Sequence, residues 1–540
     1  MSPRFLTAPL QHPLMRQTFP GTEVLLLIIL ATLGSSLSAA LVSLDSAGRL
    51  KYAADAQGNV IPDFSHCGYA AGEKPIPVAA VKVTLQPQAG DAGAAIQAAI
   101  EKVSAMPSDK DGLRGAVLLR AGRYEISGAL KFSASGVVLR GEGNATILFA
   151  TGRNRRALIE VDTPPGGQAG AQINRRAITD DFVPLGARTF RVASVMGIKP
   201  GFVLNVERLS NKEWISEIGM DRIPPRAKGE DAGNWGPFAL GFNRVVTAVD
   251  ASTKAITVDA PLGCAIEKRW GGGRISGNEL EKRIQNVGIE RLRMESAFNP
   301  AVKAKLGPME YFSDEDHCNV FVVFKSVINS WARDLTMANS EAGVLLDAGS
   351  KWITVRDCRI ESFVSQITGG RRSGFAFEGQ LGLFLRCHVN NGRHDFVVGS
   401  RVPGPNAFVF CKTGANSYAA SEPHHRWSVA GLFDNVEAPI ALQNRLNMGT
   451  GHGWSGANYV AWNCRGSLIC QQPPTAQNYS FGHVGKKEPG SFARTPAEAL
   501  KWGIKDGYWE SVGRPMKPQS LYVQQVHDRL GEAAMKHLDP

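Results

Sequence analysis

Residues 352–360 read WITVRDCRI and residues 382–389 read GLFLRCHV. Three later stretches follow the same plan: AFVFCKT (407–413), GLFDNVEA (431–438) and VAWNCRGS (460–467). Each is a short run of strand-forming residues closed by turn formers. Superposed, they bring Cys358, Cys387, Cys411, Asn435 and Cys464 into one column, at steps of 29, 24, 24 and 29 residues. NSWARDLT (329–336) fits one step earlier and puts Leu335 in the same column. A period in the twenties built from strands and turns is the pattern of a solenoid, in which one coil of chain is one rung. Rungs stack about 4.8 Å apart, so like positions form ladders. Cysteine is small and readily buried, and 358, 387 and 411 are expected to form an inward ladder.

The same architecture is written at the N-terminal side. DAGAAIQAAIEKVSA (91–105) has the periodicity of an amphipathic helix with Asp91 near its start. GAVLLRAGRYEISGALKF (115–132) and GVVLRGEGNATILFA (136–150) are strands interrupted by glycine. A helix ahead of the first rungs would cover an end that otherwise exposes unpaired strand edges. DAGAAIQAAI, GAVLLRAGRYEISGAL and GVVLRGEG together resemble the opening of right-handed parallel β-helix proteins of the pectin-lyase-like superfamily. The close match covers about sixty residues. The resemblance implies an all-β right-handed parallel β-helix with an N-terminal capping helix. It implies chemistry only as a class, because the family holds pectate and alginate lyases, polygalacturonases and uronan epimerases.

The expected order is a signal peptide (1–40), a cap and first rungs (41–165), an inserted β subdomain (166–275), the main β-helix (276–485) and a helical tail (486–540). The signal peptide is read from Arg4 and Arg16 ahead of the apolar run VLLLIILATL (24–33). Small residues Ser38 and Ala40 follow, spaced for cleavage after Ala40. The apolar run is short for a membrane span, so no stable insertion is expected after cleavage. The alternating segments 182–208 and 243–262 give the inserted subdomain, with Trp214, Trp235 and Trp270 in or near its loops. In the tail, TPAEALKWG (495–503) carries a capping box, and SLYVQQVHDRLG (520–531) starts on Ser520 and stops at Gly531.

Export fixes the compartment as secreted or periplasmic. There the close pair Cys464 and Cys470 is the expected disulfide. The chain carries a net charge of +11, and +10 once the first forty residues are removed. A basic exported protein attracts acidic partners. No nucleic-acid-binding motif is present, so an acidic polysaccharide is the expected partner. The oligomeric state is not encoded in any pattern found.

Candidate site residues cluster in three loops. They are NNGRHDFVVGSRVPGP (390–405), SEPHHRWS (421–428) and GTGHGW (449–454), and residues 388–452 hold five of the eleven histidines. Counting on from the cysteine column, Arg372, Arg401 and His425 each fall fourteen residues later, and His394 and Tyr418 each fall seven later. Two columns are therefore expected, one of Arg372, Arg401 and His425, the other of His394 and Tyr418. Arg offers a planar fork that matches a carboxylate, and neutral His accepts a proton near pH 7. Those groups suit β-elimination on a uronic acid, where the developing charge on the carboxylate must be neutralised. Arg372 or Arg401 is the expected neutraliser, His394 or His425 the base and Tyr418 the acid. Arg371, Arg393, Asp395, His424, Arg426, Trp427, His452 and Trp454 are the expected substrate-binding residues, with the two tryptophans stacking on sugar rings.

No cofactor is required on this reading. Related lyases hold Ca²⁺ with several carboxylates, and Ca²⁺ is the one ion left open, although no tight acidic triad accompanies the cluster. DEDH (314–317) is the densest acidic run. Two alternatives share the fold, a polygalacturonase-like hydrolase and a uronan C5-epimerase. Gly451-His452-Gly453 matches one hydrolase motif, but no Asp-Asp pair precedes it. Glu378, Asp395 and Asp434 are the acids left to form a hydrolytic pair, whose carboxyl groups must stand about 6.5–9.5 Å apart for inversion. A non-catalytic carbohydrate-binding surface protein is the third reading.

Overall fold

The computed structural model describes residues 40–166, 172–225, 233–278, 281–414, 417–492 and 503–538. The signal segment, except Ala40, and the capping box at 495–498 lie outside the described residues. From Leu41 onward the chain is one compact unit. No described helix is long and apolar enough to cross a membrane.

The fold is a right-handed parallel β-helix. Arg333 pairs in parallel with Arg356, Arg356 with Leu385, Leu385 with Val409, Val409 with Asp434, and Asp434 with Trp462. These residues form the first face of the coil, and Arg359–Phe363, His388–Val389 and Lys412–Thr413 pair in parallel to form the second. A third face is a seven-stranded sheet running from Leu130–Phe132 through Ala342–Leu346, Ser373–Phe377 and His394–Val398 to Glu422–Pro423. Between the faces lies one core. Phe375 stacks on Phe396, Phe384 on Phe408, and Phe408 on Phe433. Each buried phenylalanine contributes roughly 1.5–3 kcal/mol of burial free energy.

The inward column contains Leu335, Cys358, Cys387, Cys411 and Cys464, all buried. Asn435 does not belong to it. Val409 pairs with Asp434, one residue further than the even step of 24 predicts, so Val436 takes the inward position. Asn435 has φ 52°, as do its ladder neighbours Asp357 (55°), Arg386 (52°), Phe410 (53°) and Asn463 (50°). This column forms the bend between faces. Asparagine and aspartate tolerate left-handed backbone, which accounts for three of the five residues.

All eight cysteines are free and buried. The expected Cys464–Cys470 disulfide is therefore corrected. Cys470 lies within the strand Arg465–Gln472, immediately after Cys464. Six residues of extended chain separate Cα atoms by about 20 Å, far beyond the ~7 Å limit for a disulfide. Cys464 Sγ instead donates to the Phe433 carbonyl at 3.2 Å.

The capping helix spans Gly93–Ser104 and buries Ile96, Ala99, Ile100 and Val103 against the first rungs. Asp91 Oδ1 accepts from the Gly93 amide at 2.8 Å. The inserted segment forms a six-stranded antiparallel sheet with Thr189–Arg191 at one edge and Gln172–Ala177 at the other. Its core includes Trp214 and Trp235, which are buried and not available to sugars. On the flank, helix Leu521–Leu530 is capped by Ser520, whose side chain accepts from the Val523 amide. Leu521, Tyr522 and Val526 pack beside Leu385, Val409 and Leu432.

Candidate functional site

The edge strand Glu422–Pro423 ends the seven-stranded sheet, and the chain then turns through His424–Trp427 to reach the next rung. This turn gathers the histidines. His394 and His424 have ring centres 4.9 Å apart, as do His424 and His425. His452 stands 4.8 Å from His424 and 5.0 Å from His425. The Gly-His-Gly loop thus joins the two histidine loops, as their clustering in sequence suggested.

His394 is 2% exposed. Its Nδ1 lies 2.8 Å from the Ala420 carbonyl oxygen. A carbonyl only accepts, so Nδ1 carries the proton and Nε2 presents a lone pair. Nδ1 is also 3.3 Å from Glu422 Oε1, and Arg445 Nη1 is 2.8 Å from that same oxygen. Arg445 donates as well to the His424 carbonyl at 2.7 Å. His424 Nδ1 and His425 Nδ1 are 3.0 Å apart. Burial, then the Arg393 charge, lowers His394 to about 3. Burial followed by the charges of Arg426, Arg445 and Arg401 lowers His425 to about 4. His424 is pushed well below the usual imidazole range by burial and Arg445. These shifts keep His394, His424 and His425 neutral at pH 7.

Guanidinium groups ring this cluster. Arg401 is half-buried, lies 4.2 Å from the Phe238 ring centre, and is lowered by burial and by the like charge of Arg426. Arg426 Nη2 donates to the Thr450 carbonyl at 2.7 Å. Among the described residues, Arg393 Nη1, Arg401 Nε, Arg426 Nε and Arg445 Nε are buried and lack a hydrogen-bond partner. Buried donors left unpaired cost about 1–3 kcal/mol each, and an anion would relieve that cost.

The expected columns do not form as counted. On the third face Leu346 pairs with Phe377, Phe377 with Val398, and Val398 with Pro423, giving steps of 31, 21 and 25. Arg372 therefore aligns with Arg393, not Arg401, and Arg401 aligns with Arg426, not His425. Loop 364–372 has nine residues where loop 390–393 has four, and the count along the cysteine column cannot see that difference.

Several assignments change in consequence. Arg372 is buried, and its guanidinium donates to the carbonyls of Ser365, Asn391 and Phe312. It is a structural clamp and is removed as neutraliser. Arg371 pairs with Glu315 at 3.0 Å, so DEDH is part of a charge network that also holds Arg153 and Arg155. Tyr418 hydroxyl points to Met309 Sδ at 3.4 Å, and its ring lies 5.8 Å from the Arg372 guanidinium, so it is removed as the acid beside the histidines. Trp427 and Trp454 are buried in the core that joins the inserted sheet, with Trp427 4.8 Å edge-on to Trp214. They do not offer a sugar platform.

The acids are placed as follows. Asp395 is buried, accepts from Thr413 Oγ1 at 2.7 Å, and is raised to about 6 by burial. Asp434 caps helix Leu521–Leu530, accepting from Ser520 Oγ and the Tyr522 amide at 2.7 Å each, which removes it from any catalytic pair. Ca²⁺ takes six to eight oxygens. Asp395 and Asp434 are engaged elsewhere and Glu422 alone cannot supply that many oxygens, so the residues present do not fit such a site.

Glu422, Arg445 and Glu378 are the groups that counting missed or left unplaced. Glu378, Gly399 and His424 fall in one line on successive rungs, and Asp347 precedes them. A side chain on Gly399 would meet the Glu378 carboxylate at 1.8 Å, so that carboxylate leans across Gly399 towards the His424 rung. Although the residue is exposed, desolvation by the surrounding wall and then the Asp347 charge raise it to about 7. The glycine in VVGS was the available signal.

No family model and no curated protein matches this chain. Similar solved structures include the tailspike gp49 of Pseudomonas phage LKA1, at 13% identity and a TM-score of 0.39, covering 74% of this chain and 69% of that one. The gp54 tailspike of Acinetobacter baumannii bacteriophage AP22, solved with a capsular saccharide, is 10% identical at a TM-score of 0.33, covering 74% of this chain and 62% of that one. The catalytic unit of the GH87 α-1,3-glucanase from Streptomyces thermodiastaticus strain HF3-3 is 9% identical at a TM-score of 0.31, covering 81% and 70%. The chain thus spans roughly two thirds of the length of these proteins, and its likeness to them is one of fold.

Proposed function

We propose that this chain is an exported carbohydrate-acting enzyme, a lyase that cleaves an acidic polysaccharide by β-elimination. The observation that supports this most is the set of four unpartnered buried guanidinium nitrogens around neutral imidazoles. Arg401 and Arg426, on adjacent rungs, hold the uronate carboxylate and offset the charge that develops on it. His425, half-buried and neutral, takes the C5 proton. The C4–O bond breaks as the C4–C5 double bond forms. Glu378 replaces Tyr418 as the group that protonates the departing oxygen.

The test is incubation with polygalacturonate, alginate and other uronate polymers while ultraviolet absorbance of unsaturated ends is followed. Rising absorbance is expected with at least one polymer. Hydrolysis is a second reading, favoured by Glu378 and Asp347 lying on neighbouring rungs. New reducing ends without absorbance would replace elimination with hydrolysis. Inverted C5 stereochemistry without cleavage would mean epimerisation, and binding without product a non-catalytic receptor.

A further inference from the structure

We infer that His394, Glu422 and His424 form a binding site for a divalent first-row transition ion such as Zn²⁺ or Co²⁺. One donor atom from each residue lies within 4.8 Å of the other two. Ligands bonded at about 2.0–2.1 Å to one ion stand roughly 3–4 Å apart. A small rotation of His424, which is half-buried, closes the difference.

The orientation of His394 is the second, independent observation. Its Nδ1–H is fixed on the Ala420 carbonyl, and its Nε2 is buried without a partner. Metal-bound histidines are held in this way, with the far ring nitrogen donating to a carbonyl or carboxylate. Ring spacing agrees. With each ring centre about 3.2 Å from a shared ion and tetrahedral ligand directions, two rings stand about 5 Å apart, and His394 and His424 are separated by 4.9 Å. Two imidazoles and one carboxylate are a zinc-type donor set and lack the oxygens Ca²⁺ demands.

Charge sets the context. Arg445 and Arg393 oppose a dication, while the Glu422 carboxylate favours it. Arg445 Nη1 lies 2.8 Å from Oε1 of that carboxylate. An anion docked on the unpartnered guanidinium nitrogens would add negative charge beside the metal. Metal and anion therefore strengthen each other's binding, by the same factor in each direction.

The site does not depend on the elimination reading, and its test needs no polysaccharide. The full chain, stripped with a chelator, is titrated with Zn²⁺ alone by calorimetry and with Co²⁺ alone by visible absorption. One equivalent per chain and a Co²⁺ ligand-field band are expected. His424→Ala and Glu422→Gln should each weaken binding by about 10-fold or more. His424 is chosen because it is half-buried, and His394→Ala is added with its melting curve to show that it folds. His527→Ala, far along the tail helix, should bind as the parent does. No saturable Zn²⁺ binding, or unchanged affinity in His424→Ala, overturns the site. Metal binding without unsaturated product leaves the site standing and removes the lyase.

Discussion

The first and third faces of the coil are made by the same rungs, yet their residue counts vary by different amounts. On the first face the backbone pairs at steps of 29, 24, 25 and 28 from Arg356 to Trp462, and a cysteine column follows it inward. On the third face the steps are 31, 21 and 25, because loops of different length intervene. Ladder hydrogen bonds and a close-packed interior reject a slipped rung on either face. Loops at the surface accept insertions cheaply. The chemistry therefore gathers where counting is least reliable.

The comparison can be broken on either side. The largest effect is expected on the loop side: His425→Ala should lower turnover by about 10²–10⁴-fold with an unchanged circular dichroism spectrum. Full activity would remove it as base. On the core side, Phe408 stacks between Phe384 and Phe433, and Phe408→Ala should cost about 3–5 kcal/mol in urea unfolding. A loss near zero would mean the interior is not packed as described. Arg426→Lys keeps the charge but loses the planar fork, and KM should rise about 10-fold with a smaller change in kcat.

A smaller effect tests a buried charge at the start of a first-face strand. Lys351 is buried, 3.1 Å from Asp259, and burial lowers it to about 8 from 10.5. Between these values the unfolded chain holds a proton that the folded chain has released, so stability rises with pH across that window. Urea midpoints of the parent and Lys351→Met should therefore shift in the parent's favour between about pH 7 and about pH 10. A constant difference would show that Lys351 is not perturbed. The smallest effect is expected for Tyr418→Phe, which should leave turnover unchanged because the hydroxyl faces Met309. A marked loss would restore Tyr418 to the site.

Much of the architecture was legible because strand pairing repeats along the chain. Cys358, Cys387 and Cys411 could be read as a ladder, and Ser520 as a helix cap. Asn435 was misplaced by one residue, since its left-handed bend position looks like the neighbouring inward position when only spacing is used. At the site, the grouping of His394, His424, His425 and His452 was visible as density of histidine in three loops. The roles of Arg372 and Tyr418 were not, because nothing in the sequence tells a guanidinium spent on backbone carbonyls from one that faces solvent.

The sequence alone determined a stacked coil with an inward cysteine ladder and a basic, histidine-rich loop region, since both follow from local composition and period. Tertiary structure alone decided which loop residues meet. It placed Glu422 and Arg445 against His394, aligned Arg401 with Arg426, and buried Trp427 and Trp454 under the inserted sheet. The physical reason is that periodic backbone hydrogen bonds fix the rungs, whereas loop lengths and the docking of a distant segment fix the site.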